Sequence, residues 1–436
     1  MIRNMTKKTI ILTVVFIFSV ASAGILIGRW TSSVCAEVEG YEELKVFTET
    51  LSVVRKSYVE DVKPKDMIYN AIKGMLGSLD PHSGFMTPEM YKEMQVDTKG
   101  EFGGIGIQIG IKEGMLTVIA PIEDTPAYKA GIKAGDHIIK VNNEFTKDMG
   151  LHDAVSKMRG APGTSVKITI LREGWKETKD FNIVREIIKI KSVKSKLFED
   201  GIGYVKINQF QEQTASDLSN AMEKLMQENI TALILDLRNN PGGLLNSAVD
   251  VASQFLPPGK LVVYIKDKKG ERQEYQSGRN KSDYTMPMIV LVNQGSASAS
   301  EIVAGALKDW NRAVIIGTQT FGKGSVQSVI PLSDGSALRL TTAKYYTPKE
   351  VSIQATGITP DIIVKPEIKE GDKGRPAIRE KDLERHLQNG EIIEEKPKEP
   401  EEVIPIEIEE KDDIQLQRAI DLLKTWRVFK ELPKAS

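Results

Sequence analysis

Histidine and cysteine are scarce in this chain, and that scarcity narrows its chemistry before any motif is read. The 436 residues include a single cysteine, Cys35, and four histidines, His82, His137, His152 and His386. One cysteine closes no internal disulfide and builds no cysteine-rich metal site. No metal or other cofactor is expected. Charge of either sign is also not in excess. Lys and Arg number 59, Asp and Glu 60, and the net charge is −1. Such a balance gives no reason to expect a nucleic-acid partner. The remainder is ordinary for a soluble globular protein, with 40% hydrophobic and 27% charged residues. The length predicts two or three domains.

The first 30 residues read as an address. Arg3, Lys7 and Lys8 precede an apolar run from Ile10 to Gly28, which ends at Arg29. A run of about 19 residues is long for a signal core and close to the length that spans a bilayer. Ala21-Ser22-Ala23 also suits a cleavage site. Cleaved signal and retained membrane anchor both remain open. In either case the basic flank stays inside and the rest of the chain is expected outside the cytoplasm.

Periodicity divides the remaining chain. From about 37 to 99 the spacing of Leu44, Phe47, Leu51 and Val54, then Met67, Ala71, Ile72, Met75 and Leu76, is helical. The turn-rich Leu79-Asp80-Pro81-His82-Ser83-Gly84-Phe85 interrupts it. A unit from about 100 to 186 opens on Phe102-Gly103-Gly104-Ile105-Gly106-Ile107 and alternates short strands with two short helices, an α+β pattern. From about 190 to 365 strands and helices alternate again. Ala232–Leu237, Met288–Asn293 and Ala313–Gly317 are apolar runs of the kind buried on both faces. Val326–Ile330, Asp334-Gly335 and Ala337–Thr342 read as a hairpin. The last stretch, 366–436, is acidic. Glu391 to Asp413 carries 11 acidic and 3 basic residues with three prolines, a solvated linker, before a helix at about 414–426.

Three segments carry chemistry. The strand at Met288 runs into Gln294-Gly295-Ser296-Ala297-Ser298-Ala299-Ser300-Glu301 and a helix. Small residues there admit close approach, and free amides at a helix start favour negative charge. A serine so placed suits a nucleophile; a serine-rich cap with Glu301 closing a capping box is the plainer alternative. The serine needs a base. No histidine lies between about 190 and 362, which disfavours a Ser-His-Asp arrangement, although His82, in a remote turn, is not strictly excluded. Phe321-Gly322-Lys323-Gly324-Ser325-Val326-Gln327 offers a lysine between glycines instead. Burial disfavours the charged form of a lysine and makes it a base, and Gln327, four residues on, can hold the amine. An exposed turn lysine is the alternative. The third segment is Asp236-Leu237-Arg238-Asn239-Asn240-Pro241-Gly242-Gly243, another strand, tight turn and helix start. Its glycine amides can pair with that of Ala299 as oxyanion donors, or simply form a turn.

Together these three segments resemble the C-terminal processing peptidases, over residues from about 40 to 362. The resemblance implies Ser298 as nucleophile, not Ser296 or Ser300, with Lys323 as base and Gln327 as its orienting partner. It implies a serine endopeptidase of α/β and α+β multidomain build, comprising a helical N-terminal region, a PDZ domain and a β-spiral core of the ClpP/crotonase-like type. The 100–186 unit is similar to a PDZ domain, and Gly103, Gly104, Ile105 and Gly106 match its carboxylate-binding loop. That loop captures the C-terminus of a polypeptide through backbone amides. The family further implies polypeptide substrates with accessible apolar C-termini, control of the active site by PDZ occupancy and, in some members, homodimers. Arg159, after the second PDZ helix, is a candidate link between capture and cleavage, or a surface salt-bridge arginine. A non-catalytic PDZ scaffold and an acyl-CoA enzyme on a related spiral fold are the rivals. The first could dispense with Ser298 or Lys323, and the second needs neither a PDZ domain nor export.

Overall fold

The computed structural model describes residues 41–147, 149–279, 284–367, 375–376, 378–388, 403–404 and 410–431. The chain divides into two units, residues 1–74 and 75–436. The apolar run 10–28 and most of the acidic stretch lie outside the described residues. Among those described, no helix is long and apolar enough to cross a membrane.

In the first unit the helical pattern becomes Tyr41–Ser57 and the start of Pro64–Gly77. Pro64 ends the intervening turn and begins the second helix, since proline disfavours helix before itself and suits a first turn. The apolar stripe of the first helix is not buried: Leu44 is 59% and Phe47 39% exposed.

The second unit is built around a six-stranded sheet. In spatial order its strands are Val193–Phe198, Ile202–Ile207, Ala232–Asp236, Met288–Val292, Val314–Gly317 and Ile362–Ile363. The first pair is antiparallel and all the others are parallel. Every residue of Ala232–Asp236 and Met288–Val292 is buried, as a parallel strand covered on both faces requires. One face packs on the helices Thr214–Gln227, Leu245–Ser253 and Ala299–Asp309. The other receives the terminal helix Ile414–Glu431, whose Leu416, Ala419, Ile420 and Leu423 join Ile234, Ile289 and Leu291. Polar contacts reinforce this docking. Arg238 Nη2 donates to Asp236 Oδ2 at 2.6 Å and Nη1 to Asp413 Oδ1 at 2.7 Å.

A second sheet carries the predicted hairpin, Ser325–Pro331 with Ala337–Tyr346, beside Leu261–Asp267 and Arg272–Gln276. Its edge is unexpected. Gly84–Met86, from the turn-rich segment, pairs antiparallel with Ala337–Arg339. The 80–86 segment is therefore part of the core, not a remote linker.

Residues 101–189 hold the strand-rich module. Its strands Ile107–Lys112, Met115–Pro121, His137–Val141, Ser165–Leu171 and Lys179–Val184 form one sheet, in that order. Helices Pro126–Lys129 and Leu151–Met158 close over a core of Val118, Ile138, Ala154, Met158 and Ile168. The chain enters along Glu101–Gly104 and leaves along Glu186–Lys189, and these two strands pair antiparallel. Lys179–Val184 has no clear signature in the sequence pattern, because only Ile183 of that strand is buried.

Candidate active site

Ser298 stands at the junction of the Met288–Val292 strand and the Ala299–Asp309 helix, partly exposed between buried neighbours. Its backbone has φ 55° and ψ −112°, a conformation that costs an L-residue about 1–3 kcal/mol. The surroundings hold it there. Ser296 Oγ donates to Leu237 O at 2.8 Å, Ala297 N to Asn240 O at 3.0 Å and Ser300 Oγ to the same carbonyl at 2.9 Å. Asn239 and Asn293 add a reciprocal pair, both bonds 2.9 Å. The serine turn and the Asn-Asn-Pro-Gly-Gly turn are thus one braced structure.

Glu301, wholly buried, is the hub. Its Oε2 accepts from Ser298 N at 2.8 Å and Lys323 N at 3.0 Å; its Oε1 accepts from Thr320 Oγ1 at 2.6 Å and Gly322 N at 2.7 Å. The sequence suggests Glu301 only as a capping-box residue. Its reach to the lysine loop has no local signal, because those partners lie some twenty residues on. Burial pushes its carboxyl up to about 7, against the pull of these hydrogen bonds.

The loop around Lys323 is fixed along its backbone. Phe321 N donates to Ser296 O, Gly324 N to Gln354 Oε1, and Tyr345 N to Gly324 O, each at 3.0 Å. Gly324 must be glycine, since a Cβ there would lie 2.4 Å from Gln354 N. Lys323 is partly buried, and its amine forms no salt bridge among the described residues. Burial, helped by the nearby Arg339 charge, depresses the Lys323 pKa, while Glu380, Glu301 and Asp80 oppose this. Gln327 makes no hydrogen bond to that amine among the described residues. Its Nε2 donates to Ser325 Oγ at 2.9 Å and Thr341 Oγ1 at 3.4 Å.

Gly242 packs against the serine. A Cβ on Gly242 would lie 2.9 Å from Ser298 Cβ and 3.0 Å from Ala299 N, and its φ is +102°. The Gly242 amide is engaged by Asn240 Oδ1 at 2.9 Å. The amides of Gly243 and Ala299 donate to no acceptor among the described residues. Tyr345 is buried in the core beneath the site. Burial raises its phenol well above the ordinary value, Glu301 adding to this and Ser298 offsetting part. Its hydroxyl makes no hydrogen bond within normal geometric limits.

In the strand-rich module, Gly103 and Gly104 pair with Ile187 and Glu186, and the amides of Ile105 and Gly106 likewise donate to nothing among the described residues. The carbonyls point inward instead: Ile105 O accepts from Ala127 N at 2.8 Å and Gly106 O from Ile122 N at 2.9 Å. Arg159, which caps the Leu151–Met158 helix, packs beside this loop. Its guanidinium is 4.5 Å from the centre of the Phe102 ring.

Comparison with known proteins defines the class. Residues 201–364 match the model for Peptidase family S41, residues 117–172 the PDZ domain, and residues 29–90 the activating protease CtpB N-terminal domain. The chain belongs to the carboxy-terminal-processing branch of these serine peptidases. It is 43% identical to the carboxy-terminal-processing protease of Bartonella bacilliformis over 92% of this chain and 93% of that one. With the carboxyl-terminal-processing protease of Synechocystis it shares 37% identity over 72% of this chain and 75% of the other. A solved structure described as photosystem II D1 C-terminal processing protease matches 74% of this chain and 93% of its own, at 32% identity and a TM-score of 0.44.

Proposed function

We propose that this serine peptidase works through a Ser298–Lys323 dyad. The observation that carries the reading is the shared Glu301 oxygen, which binds both residues' amides and so couples the serine turn to the lysine loop. Neutral Lys323 takes the proton of Ser298 Oγ as that oxygen attacks the scissile carbonyl. The free amides of Gly243 and Ala299 receive the oxyanion of the tetrahedral intermediate. The lysine then gives its proton to the departing amine, leaving an acyl-enzyme. Water attacks the ester, the lysine again accepts a proton, and collapse releases the new C-terminus and restores the Ser298 hydroxyl. Gln327 acts on the lysine through its bonds to Ser325 and Thr341 on the two strands of the hairpin, as a positioning residue.

The substrates are polypeptides with accessible apolar C-termini. The free amides of Ile105 and Gly106, with Gly103 and Gly104, take the terminal carboxylate, and Arg159 against Phe102 relays occupancy to the core. The 1–30, 37–99, 100–186, 190–365 and 366–436 divisions serve as export segment, helical region, PDZ domain, protease core and tail. Residues 10–28 carry the chain out of the cytoplasm, as a cleaved signal or an anchor, and a homodimer fits the same reading.

The test is digestion of an unstructured tagged polypeptide with fragments read by mass spectrometry. Wild-type protein yields discrete fragments. Ser298→Ala and Lys323→Ala yield none while keeping the wild-type melting temperature. Normal turnover by Lys323→Ala would overturn the dyad.

A further inference from the structure

Glu380 lies outside the matched S41 segment, in a short helical turn, Glu380–Asp382, yet it is completely buried. Its Oε2 is 2.7 Å from His82 Nε2, and its Oε1 accepts from Gln354 Nε2 at 2.9 Å. Its backbone N donates to Phe321 O at 3.0 Å. Gln354, buried as well, accepts from Gly324 N at 3.0 Å and donates to Leu387 O at 2.9 Å. Residues on both sides of Lys323 are therefore gripped by one small polar cluster.

His82 is itself held in place. Asp80 Oδ1 accepts from His82 N at 2.8 Å and Ser83 N at 2.9 Å, and Asp80 Oδ2 accepts from Ser83 Oγ at 2.6 Å. Arg339 Nε donates to His82 O at 2.8 Å. The turn that holds His82 leads directly into Gly84–Met86, which pairs with the hairpin strand. An ionised carboxylate is costly to bury unless fully partnered, and an apolar side chain would fill a purely structural position more cheaply. Here the carboxylate sits in the lysine's field.

Resting on the dyad reading, we propose that Glu380, clamped by His82 and Gln354, is a positioning residue for Lys323: it holds the Phe321–Gly324 loop at Phe321 O and, through Gln354, at Gly324 N, which Glu301 does not reach, and adds one negative charge to the surroundings of the amine. The charged groups around the lysine are then Arg339 on the hairpin, Glu301 on the serine helix, Asp80 on the 80–86 turn and Glu380 on the C-terminal segment. Arg339 works against the ammonium and the three acids work for it. Glu380 keeps the base within reach of the working pH rather than leaving it too weak to take a proton.

Glu380→Gln tests the charge, because the amide can still accept from Gln354 and donate to the imidazole. The acid limb of its kcat/KM profile is expected to move to lower pH by about half a unit or more. A limb at the wild-type position, or one moved upward, overturns the proposal. Two His82 variants decide the matter even if Glu380→Gln does not fold. His82→Ala should lower kcat about ten- to a hundredfold with KM little changed, and His82→Gln, which restores a donor, should recover at least half of the loss on a logarithmic scale. Equal loss in both, or loss in neither, overturns the clamp. Lys323→Ala, assayed alongside, separates failure of the clamp from failure of the dyad. Activity there retires the dyad itself, whereas an inactive Lys323→Ala with an unshifted Glu380→Gln limb retires only the role of Glu380.

Discussion

Ser298 and Lys323, 25 residues apart in sequence, donate their backbone amides to one and the same oxygen, Oε2 of Glu301, at 2.8 and 3.0 Å. A glutamine cannot replace that carboxylate. One of its two terminal atoms is an amide nitrogen, which would face two donors. Glu301→Gln should therefore lose about 2–4 kcal/mol of stability and at least about a hundredfold in kcat, measured by urea denaturation and peptide cleavage. The pH dependence should change too. The folded-state pKa, about 7, lies above the ordinary 4.5, so the stability this group contributes is full below pH 4.5 and lost as pH rises through about 7. Wild type should show that decline between these values, and Glu301→Gln should lack it.

Arg339 helps burial to depress the Lys323 pKa. Only the neutral amine is a base, so activity should climb as pH rises through that pKa. Arg339→Gln removes the repelling charge, raises the pKa and moves the acid limb of kcat/KM to higher pH. A pH–rate profile of the two proteins checks this, and a profile flat from acid to alkaline pH would contradict a lysine base altogether.

Gly242 should not tolerate a side chain. A Cβ there would press on Ala297 O at 2.8 Å, Ser298 Cβ at 2.9 Å and Ala299 N at 3.0 Å, all backbone or nucleophile atoms. Gly242→Ala is expected to cut kcat by about a hundredfold or more, with binding of a C-terminal peptide to the PDZ domain unchanged. Fluorescence anisotropy of the peptide alongside cleavage separates the two effects.

Arg238 bridges Asp236 on the central sheet and Asp413 ahead of the terminal helix. Burial pushes Asp236 up, but the adjacent Arg238 wins and holds its carboxyl below the usual range. Arg238→Met strands that charge and should cost about 3–5 kcal/mol by chemical denaturation. Asp413→Asn, whose amide oxygen can still accept from Arg238, should cost less.

Distance along the chain separates the features legible in the sequence from those that are not. The strands Ala232–Asp236 and Met288–Val292 are legible because burial on both faces writes an unbroken apolar run. Ser298 and Lys323 stand out through their own neighbours in the chain. Three things have no local signature. Arg238 and Asp413 are 175 residues apart, and nothing in the acidic stretch marks Asp413 as buried. His82 looks remote in sequence, yet its turn continues into Gly84–Met86, the edge of the second sheet, and it meets Glu380 298 residues on. Nor does the Asn-Asn-Pro-Gly-Gly turn say which of its glycines packs against the serine, since that depends on how the two turns are braced. The stripe of Leu44 and Phe47 predicts helix correctly but not burial, since periodicity reports a face and not what covers it.

Arg159 lies over Phe102 beside the carboxylate-binding loop proposed for the PDZ domain. Arg159→Ala should leave peptide binding within about threefold of wild type while lowering cleavage by about tenfold. Binding measured on the Ser298→Ala background keeps the peptide intact. Equal loss of both activities, or of neither, would remove the relay.

The strand-rich module enters and leaves the core through two strands, Glu101–Gly104 and Glu186–Lys189, that run side by side. Its two ends are thus neighbours in space, and the peptidase fold does not pass through it. The module is an insertion on a two-strand stalk: excising it and joining the stalk with a tight turn leaves every other strand pairing untouched. Conversely, any tilt of the module must bend this ribbon and move the His152–Glu93 pair, 3.2 Å apart, that ties it to the helix Pro88–Lys99.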